Sequence, residues 1–168
     1  MDSSRATVIG LSLLAVASIT WLLVLAMDGA SGTVLTAVLL VLVGALTAAW
    51  AGRTEASRPW PFALGLAVAA AGAVWFLSLA TGIGSFDGMV PLANHLFAIG
   101  LATSAVLAVL AAAGVGPTAG SAAIRWPMAV AALGALLWVP GDGLDGIQWQ
   151  PGNLLALSGL TLIAWKRA

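Results

Sequence analysis

Few side chains in this 168-residue chain can exchange a proton or hold an ion, and they fall at a handful of positions. The only histidine, His95, lies in MVPLANHLFAIG beside Asn94, about one turn after Pro91, with Asp87 shortly before it. Asp142 and Asp145 stand three apart in WVPGDGLDGIQWQPGN, between Trp138 and Trp149. Three chemistries suit His95. As a haem ligand it lacks a second histidine, and Met89 is the one nearby sulfur. As a general base it would be oriented by Asp87, imidazole being the side chain best suited to proton exchange near neutral pH. As a structural residue it would bond a loop carbonyl or cap a neighbouring helix, and this is the reading the sequence favours.

The paired aspartates invite a calcium reading. Calcium takes about six to eight oxygens from carboxylates at fixed spacing, and DGLDG supplies two carboxylates with neither a third acid nor a closing glutamate. Zinc-type sites take about three or four protein ligands, and one histidine with loop aspartates falls short. No metal and no cofactor is expected. Asp-Gly and Pro-Gly are strong turn formers, so the segment reads first as a turn whose two tryptophans hold it at the headgroups. If the fold leaves an outward cavity, Asp87, His95, Asp142, Asp145, Trp138 and Trp149 are the candidates to line its mouth, with Asp28 the remaining acid on that side.

These groups must be positioned by a chain with very little polar surface. Hydrophobic residues make up 61% and charged residues 7%, against roughly 45–50% and 25% in soluble domains. The mean hydropathy is +1.08. Six cations and six acids are too few to cover a domain in water, so the expected solvent is lipid. Their balance leaves no basic footprint for nucleic acid. With no cysteine, disulfides, thiolate metal sites, iron–sulfur clusters and cysteine nucleophiles are excluded.

Charges, prolines and glycine clusters divide the chain into six apolar segments, 6–27, 33–51, 60–81, 91–113, 122–139 and 151–165. A helix needs about 20 residues to cross the hydrocarbon core, so the last two are short. The first run is too long for the apolar stretch of a signal peptide, about 7–15 residues. Arg5, Arg53, Arg58, Arg125, Lys166 and Arg167 all fall on one side of a six-span arrangement. The positive-inside rule makes that side cytoplasmic, with both termini inside the cell membrane. Trp50, Trp60, Trp126 and Trp165 flank the inner ends of spans, and Trp21, Trp75, Trp138 and Trp149 lie toward the outer ends. Four at each end reads as a pair of interfacial belts, the alternative for Trp21 and Trp75, about two turns inside their outer loops, being that they face a cavity.

The odd-numbered spans repeat a pattern of arginine, then a tryptophan (Trp21, Trp75, Trp138), then Asp-Gly, which raises the prospect of three tandem hairpins. Small residues recur four apart, as at Gly44 and Ala48, Gly65 and Ala69, Gly100 and Ser104. In lipid such faces let helices approach closely, so a compact all-α bundle without a wide pore is expected. Apart from Arg125 in the first turn of the fifth segment, no segment carries Asp, Glu, Lys or Arg, and such groups deep in a span mark proton relays and ion paths. The remaining hydroxyls, among them Ser12, Thr20, Thr36, Ser78 and Ser158, are expected to bond their own helices.

The sequence thus describes a polytopic integral membrane helical bundle of six spans. Its leading functional reading is a non-enzymatic accessory or structural subunit, partnered by the bilayer and by another membrane subunit or a second copy. One alternative is a small-solute binding or transport protein with an outward site. The other is an interface enzyme using His95 with an aspartate.

Overall fold

Out of water, a chain satisfies its backbone N–H and C=O groups by forming helices or closed barrels. The long charge-free runs here take the first route. In the computed structural model, which describes residues 3–53, 59–80, 89–115, 122–144 and 146–166, there are six α-helices. They are α1 (Ser3–Met27), α2 (Gly32–Ala51), α3 (Pro59–Ala80), α4 (Met89–Ala112), α5 (Ala122–Asp142) and α6 (Gln150–Lys166), with a 3-10 turn at Ile147–Trp149 leading into α6. No strand occurs among the described residues. Helices α1 to α5 are long and apolar enough to cross a membrane. With 17 residues, α6 covers only ~26 Å at 1.5 Å per residue, and the 3-10 turn extends it at its N-terminal end.

These are the six segments predicted from sequence, with one instructive shift. Pro140 predicts an end at Val139, yet α5 continues to Asp142. A proline in the last turn forfeits only the hydrogen bond to the carbonyl four residues back. The carbonyl of Val139 is satisfied by Gln150 Nε2 at 3.2 Å. Gly143, at φ +58°, then leaves the helix through the left-handed region that glycine occupies without a Cβ penalty.

Each helix packs on its neighbours in sequence, and α1 closes the circle against α6. Neighbouring helices run antiparallel, so Arg5, Arg53 and Arg125 gather at one end of the ring and Asp28 and Asp142 at the other. The closest approaches lie at α2/α3, α4/α5 and α6/α1, and they share one geometry. A Cβ placed on Gly44, Gly100 or Gly159 would collide with the carbonyl oxygen of Gly65, Pro127 or Gly10, respectively. The three pairs are therefore in the same register, which gives the ring an approximate three-fold repeat. The small-residue stripes read from the sequence supply these contacts, with Gly44, Ala48, Gly65, Ala69, Gly100 and Ala131 all at the crossings.

The register also corrects the sequence alignment of the tryptophans. Eleven residues beyond Gly10, Gly65 and Pro127 stand Trp21, Phe76 and Trp138. Trp75 is one position out of phase and 38% exposed, whereas Trp21 and Trp138 are each 8% exposed. One residue is about 100° around a helix, enough to turn a side chain from the interior to lipid.

At the arginine end the four tryptophans have the exposure that an interfacial position requires. Trp50, Trp60, Trp126 and Trp165 are all exposed, and the Arg125 guanidinium lies 5.6 Å from the centre of the Trp126 ring. The interior of this half is filled, with Leu11, Leu66, Ile124, Met128, Leu160 and Ile163 fully buried.

Candidate ligand cavity

The opposite half of the ring holds a partly open cavity of about 170 Å³. Its position follows from the register. Where the arginine end fills its centre with aliphatic side chains, the aspartate end presents flat rings. Trp21 and Trp138 meet edge to face at 5.4 Å between centroids and 85°. Phe97 stands 6.0 Å from Trp21 at 88° and 4.6 Å from Trp138 at a tilt of 46°. Edge-to-face packing leaves faces of the rings unstacked, and such pairs contribute ~0.5–1.5 kcal/mol beyond their burial.

An indole buried at this depth must place its N–H. Trp138 Nε1 donates to Asn94 Oδ1 at 2.6 Å, from α5 to α4. Trp21 Nε1 donates to Asn153 Oδ1 at 3.2 Å, from α1 to α6. Asn94 and Asn153 each lie six residues before the crossing glycine of their helix, Gly100 and Gly159, so these two bonds are copies of one another. At the third copy the positions hold Phe76 and Val38. Neither has a polar side-chain atom, and both line the cavity. Tryptophan and asparagine thus come together or not at all, because either alone would leave an unpaired group in an apolar interior.

The polar thread continues. Asn153 Nδ2 donates to Asp142 Oδ2, bringing the end of α5 onto α6. Trp149, on the 3-10 turn that packs against α1 and α6, completes the wall. The cavity therefore has two sides. From α4 through α5 and α6 to α1 it offers Asn94, Trp138, Asp142, Asn153 and Trp21, and from α2 and α3 it offers Val38, Val41, Ala73, Phe76 and Leu77. Asp142 is the one charged residue among the described lining.

Of the candidates named from sequence, Asp142, Trp138 and Trp149 meet at this cavity, and Asp87 and Asp145 lie outside the described residues. Trp138 is buried, which takes it out of a headgroup belt, and Trp149 is half-buried on the turn. His95 does not line the cavity. Its Nδ1 lies 2.6 Å from the carbonyl of Pro91, one turn back on the same helix. A carbonyl only accepts, so Nδ1 is the donor and the ring is tied to its own backbone. Among the described residues no three metal-ligating side chains cluster. Ser12, Thr20, Thr36, Ser78 and Ser158 each bond a carbonyl of their own helix.

Trp21, whose depth in its span already allowed a cavity-facing position, lines the cavity, and the residues that the sequence did not single out for the site are Phe97, Asn94 and Asn153. The available signal was the amides. An asparagine inside an apolar span is costly unless bonded, and Asn153 is 4% exposed. No protein family, curated protein or solved structure matches this chain.

Proposed function

We propose that this membrane protein binds a small, largely apolar solute in the aromatic cavity, at the end of the bundle that faces out of the cell. The observation that carries this reading is the cavity itself, walled by Trp21, Trp138, Trp149 and Phe97 and bordered by one carboxylate. An apolar cavity of about 150 Å³ accommodates a benzene ring, so a space of this size takes one ring-sized molecule. Cavities of this kind, mostly apolar with a few fixed polar groups, are where proteins hold small ligands.

The orientation rests on charge. With Arg5, Arg53 and Arg125 at one end of the ring, the positive-inside rule puts that end in the cytoplasm, and the cavity then faces outward. Because the arginine end is filled, binding is better supported than passage. A purely structural subunit gives no reason to hold three indoles around a space. An enzyme built on His95 gains no support from a ring tied to the Pro91 carbonyl away from the cavity.

The test is tryptophan emission from the purified protein, titrated with ring-sized neutral solutes such as cyclohexanol and benzyl alcohol. Ala73→Leu serves as the control, since Ala73 lines the cavity and a longer side chain fills it. A saturable change in the native protein that the variant lacks supports the reading. Identical responses from the two proteins refute it.

A further inference from the structure

We infer that the cavity selects an organic cation without N–H donors, a trimethylammonium group, held by indole and phenyl faces and by the Asp142 carboxylate. This inference rests on the binding reading above and adds the ligand's charge and class.

The chemistry of the walls is one-sided. Aromatic faces carry negative electrostatic potential and attract cations that sit over them, most strongly over tryptophan. Here Trp21, Trp138 and Phe97 meet at edge-to-face and tilted angles around one space. Of the three lining indoles, the N–H groups of Trp21 and Trp138 are already committed, to Asn153 and Asn94. The N–H groups of the two buried indoles are therefore not available to an anion, and what those rings offer a ligand is π surface and C–H edges. The only charged lining residue is the acid Asp142, and no cation is present among the described lining residues. An anion would meet a carboxylate and ring faces of its own sign. A primary ammonium would have to give up hydrogen bonds to water with few acceptors in exchange. A quaternary ammonium has no such bonds to lose, which is why aromatic cages suit it.

The two-sidedness of the cavity adds an orientation. The cationic head lies toward Trp138, Trp21 and Asp142, and the remainder of the molecule toward Val38, Val41 and Leu77 on α2 and α3. The same head is carried by free solutes such as choline and by phosphatidylcholine. Either source satisfies the geometry.

The probes are choline and its uncharged isostere 3,3-dimethylbutan-1-ol, titrated by tryptophan emission into the full chain in maltoside micelles. Choline is expected to bind at least ten-fold more tightly than the isostere. Asp142→Asn and, separately, Phe97→Leu should weaken choline by roughly three- to thirty-fold and weaken the isostere by a smaller factor, so that the preference for choline narrows. Two variants are used so that a folding defect in one does not decide the matter, and both must match the native protein in size-exclusion profile and helical circular dichroism. Repeating the choline titration in nanodiscs distinguishes the sources. Loss of choline binding in phosphatidylcholine discs but not in phosphatidylglycerol discs identifies the lipid headgroup as the occupant, whereas equal binding in both identifies a free solute. If the isostere binds as tightly as choline and Asp142→Asn changes neither, the cation assignment is wrong and the binding reading stands. If neither probe alters the emission and Ala73→Leu is also silent, both fall.

Discussion

Trp138 and Asn94, 44 residues apart in the chain, are joined by a 2.6 Å hydrogen bond from the indole N–H to the amide oxygen. Trp21 and Asn153 repeat that bond one third of the way around the ring, and Phe76 and Val38 replace it with an apolar pair at the third position. The ring thus contains its own comparison between a polar and an apolar solution to the same site.

That comparison can be turned into a double-mutant cycle. Trp138→Phe leaves the Asn94 oxygen without its donor and should destabilise the bundle by about 1–3 kcal/mol. Adding Asn94→Val recreates the pairing of Phe76 with Val38 and should recover more than half of the loss. The readout is the unfolding midpoint in one detergent, and additive losses would mean that the two residues are not coupled.

The crossing glycines should tolerate no side chain. A Cβ on Gly44 would meet the backbone of Ala69 and Gly65, and one on Gly100 the backbone of Ala131 and Pro127. Gly44→Ala and Gly100→Ala should each lower stability by about 1–3 kcal/mol, the range for overpacking. Gly32→Ala, where a Cβ meets nothing within 4 Å, should leave the midpoint unchanged or raise it slightly. The three variants are compared in a single thermal melt.

Topology can be read with single cysteines, since the chain has none of its own. Leu144 is 89% exposed just beyond α5, and Arg53 is exposed at the other end of the ring. A membrane-impermeant maleimide should label Leu144→Cys in intact cells and Arg53→Cys only after lysis. The reverse pattern would turn the cavity toward the cytoplasm.

How much of this was legible in the sequence depends on what each feature requires. The helices follow from runs without charge and from glycine and proline at their ends, which are local properties, and the six segments emerge close to their observed limits. Even the shift at α5 has a cause outside the local sequence, because Gln150 caps the Val139 carbonyl from the next helix. The cavity is different in kind. Whether a tryptophan looks inward depends on helical phase relative to neighbours, and Trp75 and Phe76 differ by a single step. Reading Trp75 as the partner of Trp21 and Trp138 matched residue type and missed phase. Trp21 and Trp138 are placed instead by the contacts of Gly10 with Gly159 and of Pro127 with Gly100, pairings between segments distant in the chain. Asp142 was named as a cavity candidate because few acids exist to choose from, but its partner Asn153 comes from the helix that follows the turn.

The central claim is that the cavity holds a small molecule in the native membrane. Native mass spectrometry of the protein, extracted gently from its own membranes, tests this most directly. One small molecule retained per chain, and lost from Ala73→Leu, is the expected result. A bare chain in the native protein, or an adduct that persists unchanged in Ala73→Leu, would contradict it.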